Sequence, residues 1–321
     1  MSGVILDKLI VSSSPHIREG ISTKRIMLDV IIAMVPAMIA SVVIFGPRTL
    51  LILGVTVLSC VLSEYIARKI MKRDNTIGDL SAVVTGILLA FNLPVSINPL
   101  IAAFGGVIAI VVVKQLFGGL GQNFVNPALT ARIILMNSFP TKMTAWTGAF
   151  AYLSCTDATT TATPLGIIGE GSGEPLPGLA ELFIGTHGGC LGETCAVALL
   201  VGGIYLVARR VISPVIPLCY LGTAAVISLI AGRDVLVDLL SGGLLLGAIF
   251  MATDYTTSPI TWKGRVIFAV GCGFLTMMIR IFGALPEGVS YSIILMNILV
   301  PLIERATRPK PFGKERAKRE A

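Results

Sequence analysis

The eight residues from Thr156 to Thr163, TDATTTAT, hold five threonines, one aspartate and two alanines. Hydroxyls in a row with one carboxylate and no bulky neighbour make either a polar turn or an accessible attachment point for a covalently bound group. β-Branched, hydroxyl-bearing residues disfavour a helix through the row, and Pro164 bars its easy continuation. The alternation of a strand is missing. Three further stretches combine glycine with polar side chains: Gly118–Arg132 (GGLGQNFVNPALTAR), Phe250–Arg265 (FMATDYTTSPITWKGR) and Phe282–Ser292 (FGALPEGVSYS). Asn126 and Asp254 are their candidate cofactor-binding positions; the structural alternative for each is a helix cap or a satisfied packing site. The nearest cations to Asp254 in sequence are Lys263 and Arg265. Asp79 and Asp238 open apolar runs and read as helix N-caps.

Other chemistries are poorly served. His16 and His187 are too isolated to make a metal pair. The six cysteines form no CxxC, so no metal or cluster site within this chain is expected. Cys60, Cys219 and Cys272 lie in apolar runs as small core residues. Cys155, Cys190 and Cys195 flank the threonine row, which leaves a disulfide there open.

The elements that must position these residues are membrane helices. The chain has 321 residues, of which 54% are hydrophobic and 13% charged, and its mean hydropathy is +0.86. The charged share is about half that of a soluble domain, and apolar runs of roughly 18 residues recur, the length that suits a bilayer core. An all-α polytopic membrane protein is expected, with about ten spans near 26–45, 49–67, 78–93, 98–116, 124–138, 190–208, 213–231, 235–252, 265–282 and 289–304. The third, fifth and eighth are short or interrupted by glycine, so broken helices are expected there. Residues 1–25 lack a long apolar signal region and read as a cytoplasmic lead-in.

With the N-terminus inside, twenty of the 25 Lys and Arg fall on the inner segments. The positive-inside rule then puts both termini in the cytoplasm and 139–188 outside. The net charge of +7 needs no nucleic acid, and the basic tail 305–321 reads as a lipid-facing anchor. IILMN occurs at Ile133–Asn137 and again at Ile293–Asn297, and at the same offset Ser81 meets Ser241 and Pro99 meets Pro259. Duplication is expected: two five-helix repeats, 26–138 and 189–304. Their odd span number inverts the second copy and places ligand sites at the repeat interface.

The ordered stretches SPHI, KRIMLDVIIAMVP, GGLGQNFVNPA, FMATDYTTSP, KGR, PEGVSYSIILMN and PLIE resemble the NqrB/RnfD family over nearly the whole chain. The likeness is to the RnfD component of the Rnf ion-translocating ferredoxin:NAD oxidoreductase complex. More distantly, it is to the NqrB component of the sodium-pumping NADH–quinone reductase, whose longer N-terminal extension this chain lacks. The resemblance implies FMN joined through phosphate to a threonine hydroxyl. The family's attachment motif is matched by Asp157, Thr160, Ala162 and Thr163, with Thr161 standing where glycine is usual. Thr163 is the implied acceptor and Thr161 the second choice. The resemblance also implies a non-covalent riboflavin, partner Rnf subunits including a second covalent-FMN subunit, a flavin transferase that reaches the outer loop, and a place in the inner (plasma) membrane. The chain would be an electron-carrying subunit of a translocase-type oxidoreductase with no complete active site of its own, coupled to Na⁺ or H⁺. The readings that compete with it are a flavin-free channel or transporter and a structural scaffold.

Overall fold

The structure, a computed structural model, describes residues 22–153, 161–170, 176–283 and 287–309. It is all-helical, and no strand occurs among the described residues. The first helix, α1 (Thr23–Phe45), starts at Ser22, whose hydroxyl accepts from the Arg25 N–H. It is followed by α2 (Arg48–Ile70), α3 (Ser81–Phe91) and α4 (Pro99–Val107), which continues as a π-helix through Ile108–Gln115, and then by α5 (Pro127–Ser138). Asn98 and Asn126 cap α4 and α5, each with proline at the first helical position, where the missing N–H costs nothing. Three short helices follow: α6 (Pro140–Met143), α7 (Pro164–Glu170) and α8 (Leu179–Ile184). The rest are α9 (Ala196–Ala208), α10 (Val215–Ile230), α11 (Val235–Leu240), α12 (Leu244–Leu246) with a π-helical turn Gly247–Met251, α13 (Trp262–Phe282) and α14 (Val289–Thr307).

Four of these, α1, α2, α13 and α14, are long and apolar enough to cross a membrane; α3, α4 with its π-helical extension, α9 and α10 are shorter apolar helices. Apolar side chains fill the core and also face outward: Ile204 on α9 and Leu218 on α10 are 69% and 67% exposed, while the ionisable Glu64 and Lys114 are 0% and 3% exposed. Apolar side chains outward and ionisable ones inward is the arrangement a hydrocarbon solvent selects.

The expected spans differ in continuity. The stretch 78–93 is helical only from Ser81, after a 3₁₀ turn at Ile77–Asp79. The stretch 190–208 becomes α-helical only at Ala196. The stretch 235–252 breaks between α11 and α12, where Gly242 takes φ 65°. Asp79 and Asp238 are not caps. Asp79 lies within the 3₁₀ turn, and the residue that precedes α3, Leu80, supplies no side-chain cap. Asp238 lies inside α11, whose cap is Asp234, and pairs with Arg233 at 2.9 Å.

Within the bundle α2 packs on α3 and α4, α10 on α13, and α13 on α14, while α1 meets α9 and α5 meets α14. The loops gather at two ends. At one, Tyr152 and the Phe150 N–H bond to the last carbonyls of α1, and Ser96 donates to Ala145; this is the threonine end. At the other, Arg73 donates to the Gln115 carbonyl and Tyr255 to that of Val211. Lys69, Lys72, Arg209, Arg210, Lys263 and Arg308 belong to the helix ends and turns there, which makes it the basic end.

Candidate functional site

The implied acceptor Thr163 is half-buried at the threonine end. Its hydroxyl accepts from the Gly166 N–H at 3.1 Å and its carbonyl from Ile167 at 2.9 Å, the pattern of a residue capping α7. It lines a cavity of about 340 Å³ whose other walls include Met136, Trp146, Arg132, Glu287 and Tyr291. Ala162 beside it is exposed. Thr161 points elsewhere: its N–H donates to the Trp146 carbonyl, and its hydroxyl is buried without a partner among the described residues. Asp157 and Thr160 lie outside the described residues, as does Cys155. Cys190 and Cys195 are free thiols.

The floor of this cavity is an ionic cluster that the sequence reading left unassigned. Arg132, on α5, is 2% exposed. Its Nη1 donates to Asn92 Oδ1 at 2.9 Å and Ser290 Oγ at 3.1 Å; its Nη2 reaches the Cys190 thiol at 3.6 Å and ion-pairs with Glu287. Arginine inside an apolar run was the available signal, since a charge at membrane depth is rare and placed for a reason. Asn92 and Cys190 arrive on two non-helical segments that satisfy each other. The Leu191 N–H donates to the Leu93 carbonyl and the Gly192 N–H to the Phe91 carbonyl, both at 3.0 Å. That pairing explains how α3 can stop at Phe91 and α9 start late at Ala196 inside the bundle: irregular backbone survives there only when protein closes its hydrogen bonds. Gly192 is required for the approach, because a Cβ would overlap the Phe91 ring.

Cys190, Glu193 and Glu287 bring their ligand-type atoms within 4.8 Å of one another. This is no ordinary metal site, because the Arg132 guanidinium already holds the cationic place between Cys190 and Glu287.

At the basic end the two glycine- and threonine-rich stretches come together. Asn126 Nδ2 donates to the Met251 carbonyl at 3.3 Å while its Oδ1 caps α5. The Asn297 amide, oriented to satisfy both its ends, donates to the Thr257 carbonyl and accepts from the Asn126 N–H. Asn126 and Asp254 line one cavity of about 120 Å³, together with Asn123, Thr85, Ser81 and Lys114. The donors to Asp254 are the hydroxyls of Thr256 (2.9 Å) and Thr257 (3.2 Å), not Lys263 or Arg265; Arg265 Nε donates to the Pro259 carbonyl instead. A TDxTT turn supplies its own donors at two and three residues' distance, so the carboxylate needs no remote cation. Lys114 is held by Glu64 at 3.1 Å and donates to Ser81 Oγ at 2.7 Å.

Comparison with known proteins fits this picture. The chain is 50% identical over 315 residues to the D subunit of the Na(+)-translocating ferredoxin:NAD(+) oxidoreductase complex of Acetobacterium woodii, covering 98% of each chain. It is 41% identical to the D subunit of the proton-translocating ferredoxin:NAD(+) oxidoreductase complex of Clostridium ljungdahlii, covering 95% of this chain and 96% of that one. It is 33% identical to the D subunit of an ion-translocating oxidoreductase complex of Escherichia coli, covering 94% and 98%. The pattern of the NQR2, RnfD, RnfE family matches residues 10–313, and the chain belongs to that family.

Proposed function

We propose that the chain is the D-type membrane subunit of an ion-translocating ferredoxin:NAD⁺ oxidoreductase complex and carries FMN through phosphate on Thr163. The observation that carries this reading is the place of Thr163: a half-buried hydroxyl on the rim of a cavity of about 340 Å³ walled by Trp146, Tyr291 and Arg132. The residues fit the group. Aromatic and apolar walls suit a flat ring system, the guanidinium suits a carrier of negative charge, and exposed Ala162 leaves room for a transferase. When bound, the flavin supplies one-electron chemistry. The protein positions it: Arg132 and Glu287 fix the charge at the cavity floor, and the paired segments 91–93 and 190–193 hold Arg132 through Asn92 and Cys190.

The architecture behind this is ten spans in two inverted five-helix repeats, some of them half-length and completed by loops. The helix packing supports it. At an offset of 160, α2 against α4 corresponds to α10 against α13, and the contacts of α1 with α9 and α5 with α14 map onto themselves, as a two-fold axis requires. The basic end faces the cytoplasm with both termini, and the threonine end faces outward, in the inner membrane. The cavity at the basic end, about 120 Å³, suits a small ion or water rather than a ring system. The Asn126 and Asp254 stretches there are read as part of an ion path, not as the seat of riboflavin. Of the relatives, one is named for Na⁺ translocation and another for proton translocation, and a path lined by Asn126 and Asp254 suits either cation. Other subunits of the complex, one with its own FMN, are the expected electron partners.

The intact mass of the purified chain tests the reading, followed by peptide mapping. An FMN-phosphoryl increment on the Thr163 peptide is expected, with Thr163→Ala colourless yet folded. An unmodified mass from cells that make the transferase would leave a flavin-free transporter or scaffold as the better description.

A further inference from the structure

The cluster beneath Thr163 contains one group that neither electron carriage nor packing explains. Glu193 is 3% exposed. Its Oε1 accepts from the Cys190 N–H at 3.2 Å, and its Oε2 is buried with no donor partner among the described residues. Arg132 makes no hydrogen bond to it: its two terminal nitrogens are engaged by Asn92, Ser290, Cys190 and Glu287, and its Nε is buried with no partner among the described residues. Yet a Cβ at Gly243 would stand 3.2 Å from Glu193 Oε2 and 3.7 Å from Arg132 Nη1, so carboxylate and guanidinium face the same bare backbone. Glu287 lies across the cluster, with a carboxylate oxygen within 4.8 Å of that of Glu193. It is 13% exposed and lines the cavity that holds Thr163.

Two carboxylates this close, in a buried site with one of them unpaired, do not both stay ionised. The remaining charges around them are engaged elsewhere. Arg280, on α13, spends its donors on the carbonyls of Asp238, Ser241 and Glu287. Asp238 is held by Arg233 and Ser228. The Cys190 thiol donates to the Asn92 carbonyl at 3.4 Å, and His187, on the same segment, turns Nδ1 to the Gly188 carbonyl. Tyr291, on α14, contributes a phenol to the cavity wall.

We propose that Glu193 and Glu287 form a carboxyl pair that holds one shared proton in the resting protein and binds a second when an electron enters the Thr163 cavity. The second step rests on the reading of Thr163 as the site of an electron carrier. At rest, the Arg132 cation balances one carboxylate, and the shared proton neutralises the other. An electron supplied by the complex adds one negative charge to the cavity. One proton from water at the threonine end then enters at Glu287, the more exposed partner, and restores neutrality. It leaves by the same route when the electron moves on. The cluster is thus a redox-linked proton site, and it ties the charge of the electron carrier to the pH of the threonine side.

Infrared difference spectroscopy on the assembled complex in membranes tests both steps. The resting wild-type complex is expected to show a protonated-carboxyl band that shifts in D2O, and Glu193→Gln is expected to lose it. Reduction is expected to add a second such band in the wild type and not in Glu287→Gln. The midpoint potential of the flavin on Thr163 is expected to fall with rising pH in the wild type and to lose most of that dependence in Glu287→Gln. Bands and pH dependence unchanged in both variants would overturn the proposal. Where Glu193→Gln fails to assemble, Glu193→Asp keeps the charge and must displace the resting band; a band left in place overturns the assignment. A chain without flavin on Thr163 would sink the earlier reading and the redox step with it, while the resting band, which needs no cofactor, still decides the shared proton.

Discussion

Ser81 and Ser241, 160 positions apart in the sequence, each take a hydrogen bond from a buried basic residue: Lys114 Nζ donates to Ser81 Oγ at 2.7 Å and Arg280 Nη2 to the Ser241 carbonyl at 3.1 Å. The cations stand on α4's extension and on α13, helices that correspond at the same offset. One lies toward the basic end and the other toward the threonine end. The two halves thus solve one problem, a buried charge at a helix junction, on opposite sides of the bundle.

The Lys114–Glu64 pair is buried, at 3% and 0% exposure. Lys114→Met alone strands the Glu64 carboxylate and is expected to cost about 3–5 kcal/mol, read as a loss of folded, detergent-soluble protein on heating. The double variant Lys114→Met with Glu64→Leu should recover most of that loss. Equal loss in single and double variants would show that the pair matters through packing, not charge.

Gly192→Ala places a methyl group into the Phe91 ring and strains the backbone pairing of 91–93 with 190–192. A cost of about 1–3 kcal/mol is expected, as for overpacking in general. Phe91→Leu in the same chain should relieve part of it in a thermal-melt comparison.

Thr161→Val removes a buried hydroxyl that has no partner among the described residues. Its effect on stability is expected to stay within about 1 kcal/mol and to lean toward stabilisation, with the flavin still attached. Loss of the in-gel flavin fluorescence in this variant, with Thr163→Ala unaffected, would move the attachment point to Thr161.

Asp254→Asn keeps an acceptor for Thr256 and Thr257 while removing the charge. Flavin content and folding should be unchanged. Coupled ion transport by the complex should fall by about tenfold, equivalent to about 1.4 kcal/mol on the limiting barrier. Transport at the wild-type rate would reduce Asp254 to a self-capped loop residue.

Orientation is checked with an impermeant thiol reagent on intact cells. In a background with the native thiols removed, Lys142→Cys at the threonine end should label and Lys72→Cys at the basic end should not. Both side chains are exposed. The reverse pattern would invert the assignment of inside and outside.

Helical class and membrane character were legible in the sequence because they rest on composition and period, which need no three-dimensional contact. The attachment candidate was legible as a local motif. Tertiary structure decided what depends on residues distant in sequence. Arg132, Glu193 and Glu287 come from three separate segments, and no spacing rule connects them. The late start of α9 depends on the backbone of residues 91–93, about a hundred positions away, so hydropathy alone ran the span on to residue 190. Asp254 shows the converse: its donors were two and three residues away, while the reading by charge looked to Lys263 and Arg265. Asp238 looked like a cap because it opens an apolar run, and became an ion-pair partner because α11 brings it beside Arg233 and Ser228. Apolar pattern says which segments leave water. Which polar groups they take with them, and against what, is settled only where the segments meet.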